Sequence, residues 1–191
     1  DANDTVRVFI NDGTSSYIVN STYEISQTAT WYHLAFVYNS GTALIYVDGI
    51  EVANTSGQGS FMTAVNNNFS IGADSDGISA SFLSNTKIDE VRFWSDVRTQ
   101  DEIRAYKGRT LEGDESGLLA YYRFDQQPNA LHTTLYDYSG NGNNGTLTSM
   151  TPASDWVSST PFNTWIGSED SNWGNADNWS AGSVPSAEHV G

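Results

Sequence analysis

Apolar and polar residues alternate along most of this chain in short runs separated by Gly, Asn, Asp and Ser clusters, which is the pattern of β-strands joined by tight turns. Val6–Ile10 reads as a first strand, Asn11-Asp12-Gly13 as a turn, and Ser16–Val19 as the returning arm. Trp31–Tyr38 is predicted as a long strand, with Tyr32, Leu34, Phe36 and Tyr38 on one face and Trp31, His33, Ala35 and Val37 on the other. Ala43–Val47, the turn Asp48-Gly49 and Ile50–Ala53 form the strongest hairpin signal. Asn66–Ile71, Lys87–Trp94 and Gly117–Phe124 are further expected strands. The helical pattern lies at Arg98–Tyr106, where Thr99 and Glu102 have capping-box spacing and Ile103 and Tyr106 are expected to pack on a sandwich edge. Turn signals every 8 to 12 residues or so are those of a β-sandwich.

Lys87–Trp94 contains one anomaly. Val91 and Phe93 share a strand face with Asp89, a carboxylate that must lie at the rim, find donors or hold a cation.

Composition narrows the function classes. The 191 residues carry 23 acidic and 8 basic side chains, a net charge of −15, and no Lys or Arg follows Arg123. Such a surface repels phosphate backbones, so nucleic acid is not an expected partner, and it suits cation binding and solubility outside the cell. There is no cysteine, hence neither a disulfide framework nor a thiolate metal site. No run approaches the length of a membrane-spanning helix, so membrane insertion is not expected. The first residues already read as strand, so the natural N-terminus is expected upstream of Asp1.

Trp31-Tyr-His-Leu-Ala35, Leu44-Ile-Tyr-Val-Asp-Gly49, Ile71-Gly-Ala73, Ile88–Trp94 and Asp101-Glu-Ile103, in this order and spacing, resemble the laminin-G-like (concanavalin A-like) jelly-roll domains of large bacterial surface adhesins of the Bacteroidetes type. The resemblance implies an all-β fold, an antiparallel jelly-roll β-sandwich with one short helix, over residues 1–157. A linker at 158–162 then leads into a Trp-rich module beginning at 163–191, where Trp165, Trp173 and Trp179 cluster. The family's opening strands would precede Val6. Either the sequence is a fragment, or Gly117–Leu147 closes the sandwich in their place.

The same resemblance implies calcium at the sandwich rim, with Asp89 as the first ligand, and Asp125, ending the neighbouring Gly117–Phe124 strand, is the second candidate. Asp74 and Asp137 are the further carboxylates considered. Asp74-Ser-Asp76-Gly77 has the start of an EF-hand loop, but Phe82-Leu-Ser84 stands where the closing Glu region would be, so the stretch reads as a turn. Asp137 precedes an Asn/Gly run that forms turns first. Tyr17, Tyr32, Tyr46 and Trp94 are the aromatic candidates for stacking on sugar, against the alternative that they are core.

No enzyme is expected. Asp89 and Glu90 are adjacent on a strand and face opposite ways, so they cannot act as a glycosidase pair. His33, His132 and His189 accompany no nucleophile or zinc motif. The implied function is a non-catalytic adhesion module at the cell surface or secreted, with a glycan or protein ligand. Two alternatives stand beside it: a structural segment of a surface fibre touching neighbouring modules or other copies, and an accessory domain of a secreted polysaccharide-degrading enzyme.

Overall fold

The computed structural model describes residues 5–11, 15–59, 69–72, 86–126, 133–148, 150–159, 161–162, 167, 169–179 and 184. The expected turn at Asp12-Gly13, most of the strand at Asn66–Ile71, and Asp74, Phe82, His132 and His189 lie outside these residues. Residues 69–72 are not strand.

Strands β1 (Thr5–Asn11) and β2 (Ser16–Glu24) pair antiparallel, with Ile10 opposite Tyr17 and Phe9 opposite Ile18. β3 (Leu34–Asn39), β4 (Thr42–Val47) and β5 (Ile50–Thr55) form an antiparallel meander. β6 (Val91–Trp94) pairs with β7 (Leu118–Tyr122), and β8 (Thr134–Leu135) with β9 (Gly145–Thr146), again antiparallel. The helices are α1 (Gln100–Tyr106) and α2 (Pro152–Asp155), with a 3-10 turn at Ala176–Asn178. The architecture is an antiparallel β-sandwich with few helices.

β4 is the organising strand. Its Ala43 and Ile45 meet Ile10 and Val19 of the β1–β2 hairpin in one cluster, flanked by Val6, Val8, Tyr17, Tyr38, Val52 and Ala53. Its opposite face sends Tyr46 against Val37 and the helix residue Ile103. Burial on both faces explains why the run reads as continuously apolar. A third cluster of Leu111, Leu118 and Tyr121, bordered by Trp94 and Tyr106, underlies the β6–β7 pair. Each fully buried aliphatic side chain contributes about 1.5–3 kcal/mol.

α1 starts where its capping box places it. The Thr99 hydroxyl accepts the Glu102 amide at 3.3 Å, and the Glu102 carboxylate accepts the Thr99 amide at 2.8 Å. Gln100 Nε2 and Arg104 Nε both donate to the Gly49 carbonyl, at 2.9 and 3.0 Å, clamping the helix onto the β4–β5 turn.

Three expected strands are shorter than the pattern suggests. Lys87–Trp94 becomes strand only at Val91, because Glu90 takes a left-handed φ of 55°. Trp31–Tyr38 begins pairing at Leu34, since the His33 backbone is held instead by Asp48. Gly117–Phe124 ends at Tyr122, with Phe124 at φ 53°.

Candidate functional site

The rim at the start of β6 is built by Asp89 and Glu90. Asp89 Oδ1 accepts the Glu90 amide at 2.9 Å, a one-residue cap made compatible by the positive φ of Glu90. Glu90 lies on the side of Arg92. Its Oε2 accepts from Arg92 Nη2 at 2.8 Å and from the Tyr121 hydroxyl at 2.5 Å. Arg92 also donates to the backbone carbonyls of Tyr106, at 2.6 Å, and Arg109. The Tyr121 hydroxyl accepts the Leu111 amide at 3.2 Å.

Burial raises the Glu90 carboxyl, against the lowering effect of its Tyr121 and Arg92 hydrogen bonds. Burial, then the bond to Glu90, pushes the Tyr121 phenol up to about 12, so it stays a donor at neutral pH. This network closes the inner side of β6, and its groups are committed to one another.

Asp89 faces the other way. Its second oxygen accepts from the Ser159 hydroxyl. Burial, followed by the nearby Asp125 charge, raises its carboxyl, while Ser159, the Glu90 amide and Arg123 pull it down. Asp125 pairs with Arg123 Nη2 at 2.8 Å. The structure therefore brings two of the expected metal ligands within electrostatic reach of each other.

As a donor set for calcium, the two carboxylates and the Ser159 hydroxyl are of the right chemical kind. Calcium takes six to eight oxygens, so carbonyls and waters must supply most of the shell, and Arg123 competes for Asp125. Among the described residues no group of three or more His, Cys, Asp and Glu is arranged to hold a metal.

Asp137 stands elsewhere, with its oxygens occupied by the chain. Oδ1 accepts the Tyr121 and Ser139 amides at 2.9 Å each; Oδ2 accepts the Ser139 hydroxyl at 2.9 Å and the Asn143 amide at 2.8 Å. Burial alone would raise this carboxyl, but these bonds together outweigh it and hold it below its ordinary value. Asn141 Nδ2 and Asn143 Nδ2 donate to the Leu118 and Leu119 carbonyls at 2.9 and 2.8 Å, so the Ser139–Asn143 loop is latched onto β7.

The four aromatic candidates are mostly interior. Tyr46 is buried under α1, and Tyr17 packs on the first core cluster. Trp94 lies between Tyr106, with ring centroids 6.0 Å apart, and the Arg98 guanidinium, 4.0 Å from its ring centroid. Tyr32 meets Tyr23 edge-on at 6.4 Å and accepts the Gln27 amide. Aromatics exposed to solvent include Phe9, Tyr136, Tyr138 and Trp173, none of which the alternation pattern selected. The signal for two of them was present in Tyr136-Asp137-Tyr138, an aromatic pair at strand spacing beside a Ser-Gly-Asn turn.

The model for the laminin-G-type family described as the concanavalin A-like lectin/glucanases superfamily matches residues 1–104. The chain belongs to this superfamily. Its fold is also similar to the crystal structure of a Bacteroides ovatus protein named as a candidate carbohydrate binding protein, at 26% identity and a TM-score of 0.55. The likeness covers 75% of this chain and 42% of that one, so it spans less than half of the longer protein. No curated protein matches the chain.

Proposed function

We propose that the chain is a non-catalytic module of a secreted or surface-exposed protein, that it binds glycan, and that calcium near Asp89 and Asp125 stabilises it. Membership of a lectin and glucanase superfamily, joined to likeness with a protein named for carbohydrate binding, is the observation that carries this reading. The binding side of that superfamily is favoured over the hydrolytic side by the state of Glu90. Its carboxylate is held by Arg92 and Tyr121 and is not offered to a substrate as an acid or base. No helix among the described residues is long and apolar enough to cross a membrane.

The test is isothermal titration with a panel of soluble polysaccharides, run beside an assay for newly released reducing ends. Binding without release supports the proposal, whereas release of reducing ends overturns its non-catalytic part. Binding to no member of the panel moves the structural alternative ahead.

That alternative, a segment of a surface fibre, draws on a specific observation. Trp156 packs edge-on against Phe124 at 5.8 Å, Ser159 bonds Asp89, and the Arg92 guanidinium lies 5.9 Å from the Phe162 ring centroid. The stretch expected as a linker is thus fastened to the sandwich at two points, Ser159 and Phe162, directly after the Trp156 contact.

A further inference from the structure

We infer that Tyr136 and Tyr138, with Arg123 and Asp125 beside them, form a binding surface for a neutral glycan chain, outside the stretch that matches the superfamily. The inference rests on the glycan-binding reading above and adds a location and a ligand class to it.

Burial alternates through this segment: Leu135 is buried, Tyr136 is 48% exposed, Asp137 turns inward and Tyr138 is 40% exposed. Both tyrosines therefore face solvent on the side opposite Asp137. Two residues of chain span at most about 7 Å, so the two rings are close enough to meet neighbouring sugar units of one chain. Neither ring is needed to fill the core, and neither phenol hydroxyl bonds to the protein among the described contacts.

The surface is rigid for reasons already given. Asp137 is fixed by four donors, the Tyr138 amide donates to the Tyr121 carbonyl at 2.8 Å, and the Tyr136 amide donates to Gln126 Oε1 at 3.0 Å. Rigid aromatic side chains lose little conformational freedom on binding. Arg123 stacks on one face of Tyr138, 5.2 Å from the ring centroid, which leaves the other face for a ligand.

Charge selects the ligand class. Arg123 is paired with Asp125, and no cation follows it in the sequence. The surface thus offers hydroxyl and carboxylate oxygens with a neutralised guanidinium, which suits the hydroxyls of neutral sugars and repels uronate or sulfated chains.

The test titrates the full chain with neutral polysaccharides (xyloglucan, mixed-linkage glucan, galactomannan, mannan, amylose), each against its binding to Tyr136→Ala, Tyr138→Phe and the double Tyr136→Ala/Tyr138→Ala variant. The expected result is affinity weakened roughly tenfold by Tyr136→Ala and lost in the double variant, with Tyr138→Phe staying within roughly threefold of the parent. Melting temperature and circular dichroism establish that each variant is folded. If the double variant is not, Tyr136→Ala decides alone, since its side chain holds nothing in place. Unchanged affinity in a folded variant overturns the site and leaves glycan binding standing elsewhere on the chain. No binding by the parent chain overturns both.

Discussion

His33 and Asp48 bind one another twice. The His33 amide donates to Asp48 Oδ1 at 2.9 Å, and the Asp48 amide donates to the His33 carbonyl at 2.8 Å. The β4–β5 turn is thereby tied to the chain entering β3, and the turn itself needs left-handed backbone at both Asp48, φ 51°, and Gly49, φ 78°. A Cβ on Gly49 would stand 2.7 Å from Arg104 Cγ. Gly49→Ala is accordingly expected to lower stability by about 1–2 kcal/mol, read as a fall in the urea midpoint. An unchanged midpoint would contradict the clamp between α1 and this turn.

His33 also sets an acid limit. Burial, then the charges of Arg92 and Lys107, lower its imidazole from 6.5 to about 4, with Asp48 opposing. A depressed folded-state value means that its contribution is fully present above pH 6.5 and is lost as pH falls through about 4. That contribution is about 3 kcal/mol at most. Glu90 and Asp89, raised by burial, act with the opposite sign and gain stability as they protonate. Comparing parent and His33→Gln unfolding across pH 7 to 4 isolates the histidine term. The variant should lose less stability over that range, and parallel curves would refute the assignment.

Asp137→Ala removes the acceptor of four hydrogen bonds. The expected loss is about 1–3 kcal/mol, since the part-buried Tyr121 and Ser139 amides are left without this partner. Amide hydrogen exchange should quicken first at Tyr121, Ser139 and Asn143. If those amides keep their protection, the carboxylate does not latch the loop.

For calcium, thermal unfolding in calcium and in chelator at fixed ionic strength gives the direct reading. A cation bound by the folded state alone raises the melting temperature with concentration. The rise should disappear in Asp89→Asn, which keeps an acceptor for Ser159 while removing the charge. A rise of equal size in that variant would place the ion elsewhere.

Much of the sheet order was legible because its determinants are local. The Asp48-Gly49 turn, the β4–β5 hairpin it closes and the Thr99 and Glu102 capping box depend on residues near one another in sequence, whereas the burial of both faces of β4 depends on Ile10, Val19 and Ile103, which are distant. The start of β6 was not legible. Alternation carried the strand back to Lys87, but at Glu90 the backbone turns left-handed and its side chain is held by Arg92 and by Tyr121, 31 residues away. The same holds for the aromatics. Tyr46 and Trp94 look like surface platforms until α1 and Arg98 cover them, and that cover is tertiary. Asp89 was marked by family resemblance and Asp125 by its place at the end of the neighbouring strand, while the effect of the Asp125 charge on Asp89 is a tertiary one that no periodicity encodes.

The fastening of Trp156, Ser159 and Phe162 has a mechanical consequence. Tension applied to the chain beyond residue 162 reaches these side-chain contacts before it reaches the hydrogen bonds between β6 and β7. They can detach one after another, each yielding a little slack. Under load the stretch is expected to lengthen first, cushioning the sandwich while its sheets stay paired.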